Sequence, residues 1–165
     1  MSKTIVLAVD VASDLPARNV AAAVEMTREL ARDTGDRVVV LHVHEFATGR
    51  FGRMQVDCHE GEGDRLVADI VADLKTSGID AEGVTREAEY GHLARRILAI
   101  VDEYDPRILV LGARSRTDLP LVPFGSITQR LLHVARRPVL VVPQHAQATE
   151  RSQGAEAAEA AATAS

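Results

Sequence analysis

Four short runs of aliphatic residues predict strands that are buried inside a sheet. Such a run, without alternating polar positions, is typical of a strand that is covered on both faces. A fifth and more polar segment, residues 84–88, predicts an edge strand, because its charged side chains require contact with water. The four aliphatic runs are Ile5–Val9, Val38–Val43, Ile108–Leu111 and Val139–Val142.

Between these runs, apolar residues recur at intervals of three and four, which predicts helices. The first helix is expected to begin at Pro16 and to end before Gly35, since proline favours a first turn and glycine follows a last one. The other stripes cover residues 66–74, 93–104 and 127–135. The resulting βαβαβαβαβ order predicts one α/β domain, a doubly wound parallel five-stranded sheet with helices on both faces.

Two regions fall outside this alternation. Residues 45–60 are expected to form a long connection between a strand and a helix. Residues 144–165 are rich in Ala, Glu, Gln, Thr and Ser and hold no bulky apolar stripe that could dock on the domain. We therefore place the domain at residues 1–143 and expect a disordered tail after it.

Composition and charge narrow the class of protein. The net charge of −5 argues against nucleic acid as a partner, because nucleic-acid binding needs a basic surface. No apolar run approaches the ~20 residues that span a bilayer. The single Cys58 excludes an intramolecular disulfide. These features lead us to expect a cytoplasmic protein with neither nucleic acid nor a membrane as partner.

The residues that follow the strands are the first candidates for a binding site. Doubly wound sheets bind ligands beyond the carboxyl ends of their strands. Asp10, Val43 and Gly112 stand at these positions. Asp10 also has a purely structural interpretation, since an aspartate after a strand often accepts backbone N–H bonds in a turn.

The stretch between the fourth strand and the last helix has the character of a phosphate site. Gly112 ends a strand, and Gly125-Ser126 opens a helix whose free N–H groups attract an anion. Arg114 and Arg116 add positive charge nearby. Glycine and serine at these places are also ordinary turn and capping residues, so the local pattern is consistent with either role.

The sequence gives little support to two other kinds of site, a metal centre and a catalytic group. Residues 57–60, Asp-Cys-His-Glu, together with His42 and His44, contain metal-ligand types, but no second cysteine pair or His-x3-His spacing accompanies them. No residues can be assigned as a nucleophile with its base and an oxyanion site, so no catalytic residue is predicted.

The stretch from Gly112 onward resembles a pattern of the universal stress protein family, G-x2-G-x9-G-[ST]. Here it reads Gly112-x2-Ser115-x9-Gly125-Ser126, so the spacing is kept and serine replaces the second glycine. The resemblance covers residues 3–143. Its most specific part is the closing segment, residues 126–143.

The resemblance implies a fold, an assembly and a set of contacts. The strand order would be 3-2-1-4-5, and a homodimer would form through the last strand, Val139–Val142. Adenosine would contact Asp10 and Val43, while the loop and the following helix would hold ribose and phosphates. The nucleotide-binding residues are accordingly predicted as Asp10, Val43, Gly112, Arg114, Ser115, Gly125, Ser126 and Ile127.

The implied ligand is ATP, with Mg²⁺ as its counter-ion, and the implied role is regulation in a stress response. The alternative is a family member that binds no nucleotide and acts as a protein-interaction module. Ser115 motivates it, because serine permits close approach of a phosphate less readily than glycine. An enzyme that handles adenylate on the same scaffold is a third hypothesis, and it requires turnover of ATP that Asp10→Asn would abolish.

Overall fold

The structure, a computed structural model, describes residues 3–10, 16–50, 52–56, 61–112 and 125–143, with the side chains of the first helix described from Val20. No helix within these ranges is long and apolar enough to cross a membrane. The strands are β1 (Thr4–Ala8), β2 (Arg37–Gly49), β3 (Gly52–Gln55), β4 (Ala81–Glu89), β5 (Ile108–Gly112) and β6 (Val139–Val142). The helices are α1 (Pro16–Thr34), α2 (Glu62–Thr76), α3 (Leu93–Tyr104) and α4 (Ser126–Val134).

The described residues form a six-stranded sheet, one strand more than predicted. Five of its strands are parallel, in the order β4-β2-β1-β5-β6, and β3 pairs antiparallel with the end of β2. Counted among the parallel strands alone, this is the predicted order 3-2-1-4-5, and the predicted fold class is confirmed. Helix α1 begins at Pro16 and ends before Gly35, as expected. The strand order reverses between β1 and β5, which is where a doubly wound sheet opens a crevice for a ligand.

The prediction of a single connection over residues 45–60 was wrong for its first part. Strand β2 continues to Gly49, and β3 returns antiparallel along it, with Phe46 opposite Gln55. The turn uses Gly52, whose φ of 106° is accessible to glycine. The aliphatic pattern hides this hairpin because its exposed strand, Gly-Arg-Met-Gln, buries little and carries no apolar run. Residues 57–60 lie outside the described residues, as does the predicted tail, 144–165.

The core consists of two clusters, one on each face of the sheet. Helices α1 and α2 cover the first face, where Val38 and Val40 of β2 point. Helices α3 and α4 cover the second face, where Val39, Leu41 and Val43 point. Because side chains alternate along a strand, β2 contributes to both clusters with consecutive residues. Its continuous aliphatic run is thereby explained.

A buried carboxylate ties the strands together at the amino edge of the sheet. Asp36 precedes β2, and its side chain is only 1% exposed. One of its oxygens accepts the Lys3 N–H at 2.7 Å, and the other lies 2.8 Å from Nε of Arg107. Lys3 precedes β1 and Arg107 precedes β5. Asp36 therefore fixes the starts of three neighbouring strands.

We expect Asp36→Asn to lower the free energy of unfolding by about 1–3 kcal/mol, because the neutral amide removes the ion pair with Arg107. Asp33→Asn, at an exposed position on α1, is the matched control and is expected to change little. Urea unfolding of both variants gives the comparison. Equal midpoints for the two variants would show that the Asp36 contacts do not stabilise the sheet.

Candidate functional site

The carboxyl ends of β1 and β5 lie side by side at the switch point. Ala8 is paired with Leu111, the last printed pair of these two strands. The same register places Gly112 beside Val9, with Asp10 directly after it. Asp10 is exposed, as a ligand contact at this edge requires. The structure therefore brings together two of the predicted site residues, Asp10 and Gly112.

The start of α4 lies at the same edge of the sheet. Strands β5 and β6 are parallel, so the helix between them runs antiparallel to both and begins at their carboxyl ends. Gly125 caps this helix with φ −64° and ψ 160°, and no acidic residue stands in the first turn. Ser126 is exposed, and Ile127 is half-buried against the second core cluster. The N–H groups of this first turn have no partner within the helix, and such groups attract anions.

Gly125 is not required by its backbone conformation. Its φ lies in a region that any residue adopts. A Cβ built on it would meet no described atom within 4 Å. As far as the described residues show, the missing side chain therefore leaves space in front of the helix.

Val43 contributes its main chain to this edge, because its side chain points into the core. The side chain is 5% exposed and belongs to the cluster beneath α3 and α4. The Leu41 carbonyl accepts the Val9 N–H at 2.8 Å, and the Glu45 carbonyl accepts the Val56 N–H at 2.9 Å. Main-chain groups of alternate residues point to the same edge of a strand. The N–H and C=O of Val43 therefore point to the β1 side of β2, between these two bonds.

Among the described residues, this edge of β2 has an interval that neither neighbouring strand pairs. Strand β1 is paired with β2 as far as Leu41, and β3 is paired with it from Phe46. We call residues 42–44 of β2 the open interval. The Cα atoms of Leu41 and Glu45, which carry the flanking bonds, are about 13 Å apart at the usual rise of a strand.

Two histidines bond to the chain on either side of the open interval. Their side chains lie on the face of the sheet opposite to the Val43 side chain. The Nδ1 atom of His42 donates to the Val9 carbonyl at 3.0 Å, since a carbonyl can only accept. The Nε2 atom of Gln55 donates to Nδ1 of His44 at 3.1 Å. The two imidazole rings meet edge to face, with centroids 4.5 Å apart. His42 thus fixes the end of β1, and His44 fixes β3.

Helix α2 packs closely against these histidines, because it has a glycine in its first turn. A Cβ on Gly63 would lie 2.2 Å from Cδ2 of His42 and 2.8 Å from Cε1 of His44. Oδ2 of Asp64 lies 3.8 Å from Nε2 of His44. From the sequence, the two histidines were interpreted only as residues of metal-ligand type. Their two-residue spacing on either side of Val43 was the signal that could have revealed their structural role.

Arg114 and Ser115 lie outside the described residues, and so does the Asp-Cys-His-Glu segment at 57–60. Within the described part of the chain, no group of three or more His, Cys, Asp or Glu side chains is placed to hold a metal ion.

The sequence and the fold can be compared with known proteins. The family model of the universal stress protein family matches residues 1–143. The chain belongs to the universal stress protein family. It is also similar to a universal stress protein from Mycolicibacterium smegmatis, with 34% identity over 127 residues that cover 75% of this chain and 88% of that protein.

Solved structures share the fold at low identity. A universal stress protein from Archaeoglobus fulgidus in complex with dAMP has a TM-score of 0.61 and 22% identity, covering 85% of this chain and 97% of that one. A universal stress protein family protein from Arabidopsis thaliana with AMP bound has a TM-score of 0.63 and 18% identity. That alignment covers 87% of this chain and 93% of the other. At these identities the likeness concerns the fold.

We expect Gly63→Ala to destabilise the protein by about 1–3 kcal/mol, because the new methyl group must displace both imidazole rings. A loss of stability would be informative, since alanine is otherwise favoured over glycine inside a helix by about 1 kcal/mol. Asp69→Ala, at an exposed position of the same helix, provides the control. Chemical denaturation of the two variants decides: a Gly63→Ala protein as stable as the parent would refute the tight packing.

Proposed function

We propose that this protein binds an adenine nucleotide at the carboxyl edge of its sheet, with ATP and Mg²⁺ as the working ligand, and acts as a cytoplasmic regulator of a stress response. The proposal rests on the main-chain N–H and C=O groups of Val43 in the open interval. They present one donor and one acceptor side by side at the place where a doubly wound sheet receives ligands.

The open interval suits the Watson–Crick edge of adenine. Adenine has an acceptor, N1, beside a donor, its N6 amino group. The Val43 N–H would donate to N1, and the Val43 C=O would accept from N6. Hypoxanthine and guanine carry N1–H beside O6, which reverses donor and acceptor and leaves both main-chain groups facing the wrong partner. Reading a base along this edge by hydrogen bonds is a general mode of recognition.

The sugar and phosphates would extend from the base toward β5 and α4. The carboxylate of Asp10 is suited to accept hydrogen bonds from ribose hydroxyls. Gly112 and Gly125 permit close approach, and Ser126 and Ile127 offer N–H groups at the helix start. Arg114 and Ser115 complete the site in this proposal.

The comparisons support the ligand class. The two solved relatives described above are complexes with AMP and dAMP, and their folds match over most of this chain. The step from a monophosphate to ATP rests on the α4 start, whose first turn has no acidic residue that would repel further phosphates.

The assembly in this proposal is a homodimer through Val139–Val142. Strand β6 ends the order of the sheet, and Val139, Leu140 and Val141 are only half-buried. A second copy of β6 would pair with this edge and cover the three apolar side chains. Nucleotide binding would then be communicated to a partner protein through the assembled surface.

We expect calorimetry to show AMP binding about tenfold or more tighter than IMP, because IMP leaves the Val43 donor and acceptor mispaired. The two ligands carry the same sugar and phosphate, so the difference reports on the base alone. Equal affinity for AMP and IMP would mean that the main chain of Val43 does not read the base.

Replacing Gly125 with valine is expected to weaken ATP-Mg²⁺ binding by about tenfold or more, because the side chain occupies the space before the helix start. Gly49→Val is the matched control, since Gly49 also lacks a positive φ and has no described atom within 4 Å of a built Cβ. Thermal melting verifies that both variants fold. Millimolar ATP that produces no heat with the parent protein would contradict nucleotide binding and favour the interaction-module alternative.

A further inference from the structure

We propose that Val56, at the end of the β2–β3 hairpin, lines the base site on the side of the N6 amino group. There its side chain limits the size of a substituent on N6. This inference rests on the proposed function. It adds a specificity-determining residue that lies outside the G-x2-G-x9-G-[ST] stretch and outside the predicted site residues.

The direction of β2 determines which side of the base faces the hairpin. Along any strand, the N–H of a residue precedes its C=O. The Val43 N–H therefore lies toward His42 and the end of β1, whereas the Val43 C=O lies toward His44 and β3. If N–H meets N1 and C=O meets N6, the N6 amino group is turned toward β3 and C2 toward Val9.

Among the described residues, Val56 is the first on that side. Its N–H is bonded to the Glu45 carbonyl at 2.9 Å, which continues the antiparallel pairing of β2 and β3. Gln55 contacts His44 on the face of α1 and α2, so the next side chain, that of Val56, points to the opposite face. Val43 points to this same face. Val56 is 40% exposed, which leaves its surface available to a ligand.

The hairpin has contacts of its own that hold Val56 in place. Besides the His44–Gln55 bond, Arg53 stacks on Phe46 with its guanidinium carbon 3.9 Å from the ring centre. Arg53 also donates to Oε2 of Glu87 at 2.6 Å, on strand β4. These contacts join β3 to two neighbouring strands. The position of Val56 is therefore set before a nucleotide arrives.

The test compares AMP with N6-benzyl-AMP, which carries its added group at the predicted contact. Calorimetry is run with the parent protein and with three variants: Val56→Ala, Val56→Trp and Val134→Trp. Val134 provides the matched control, because it is an exposed valine at the far end of α4, at the opposite edge of the sheet.

We expect the parent to bind N6-benzyl-AMP about tenfold or more weaker than AMP, and Val56→Ala to remove most of this difference. Val56→Trp should weaken AMP itself by about tenfold or more, with Val134→Trp unchanged.

Two outcomes contradict the account at different levels. If the parent binds AMP, yet Val56→Ala does not narrow the difference or Val56→Trp leaves AMP affinity unchanged, the role of Val56 is refuted and the proposed function stands. If the parent binds no AMP, the proposed function fails, and the inference fails with it.

Discussion

Strand β2 is longer than β1, and the candidate site depends on this difference. The two strands pair from Thr4 and Arg37 to Ala8 and Leu41, after which β2 continues for eight residues, 42–49. Beyond that point, no described residue pairs with the β1-side edge of β2 until β3 does so. A donor and an acceptor on the main chain are thereby presented at the crevice, between two strand ends. A β2 that ended level with β1 would have left no open interval.

In the proposed site, the side chain of Val43 contributes to stability and its main chain to recognition. The side chain of Val43 belongs to the core beneath α3 and α4, so its size is constrained by packing. The main chain of Val43 faces the crevice and needs no particular side chain to do so. His42 and His44 hold the end of β1 and the hairpin from the other face. Gly63 allows α2 to approach both rings. In the proposed site, recognition would therefore rest on backbone groups held by packing on both faces.

The sequence predicts the parallel sheet well because its strands are buried on both faces. Ile5–Val9 and Ile108–Leu111 have no polar interruptions, and their pairing follows from the alternation with helices. The hairpin was not predicted, because its strand β3 is mostly exposed and has no hydrophobic pattern. Its residues include Arg53, Met54 and Gln55. Val43 was selected through a family resemblance, but the direction of its main chain depends on the register with β1 and β3, which a pattern does not encode.

The most direct test of this account is the amide signal of Val43 in protein labelled with ¹⁵N-valine. Adding AMP is predicted to shift the Val43 N–H and to slow its hydrogen exchange, because that group becomes a donor to the base. The Val39 N–H, which points to the same edge but lies where β1 pairs with β2, is predicted to change little. Saturating AMP that perturbs other valines but leaves Val43 unchanged would contradict the central claim.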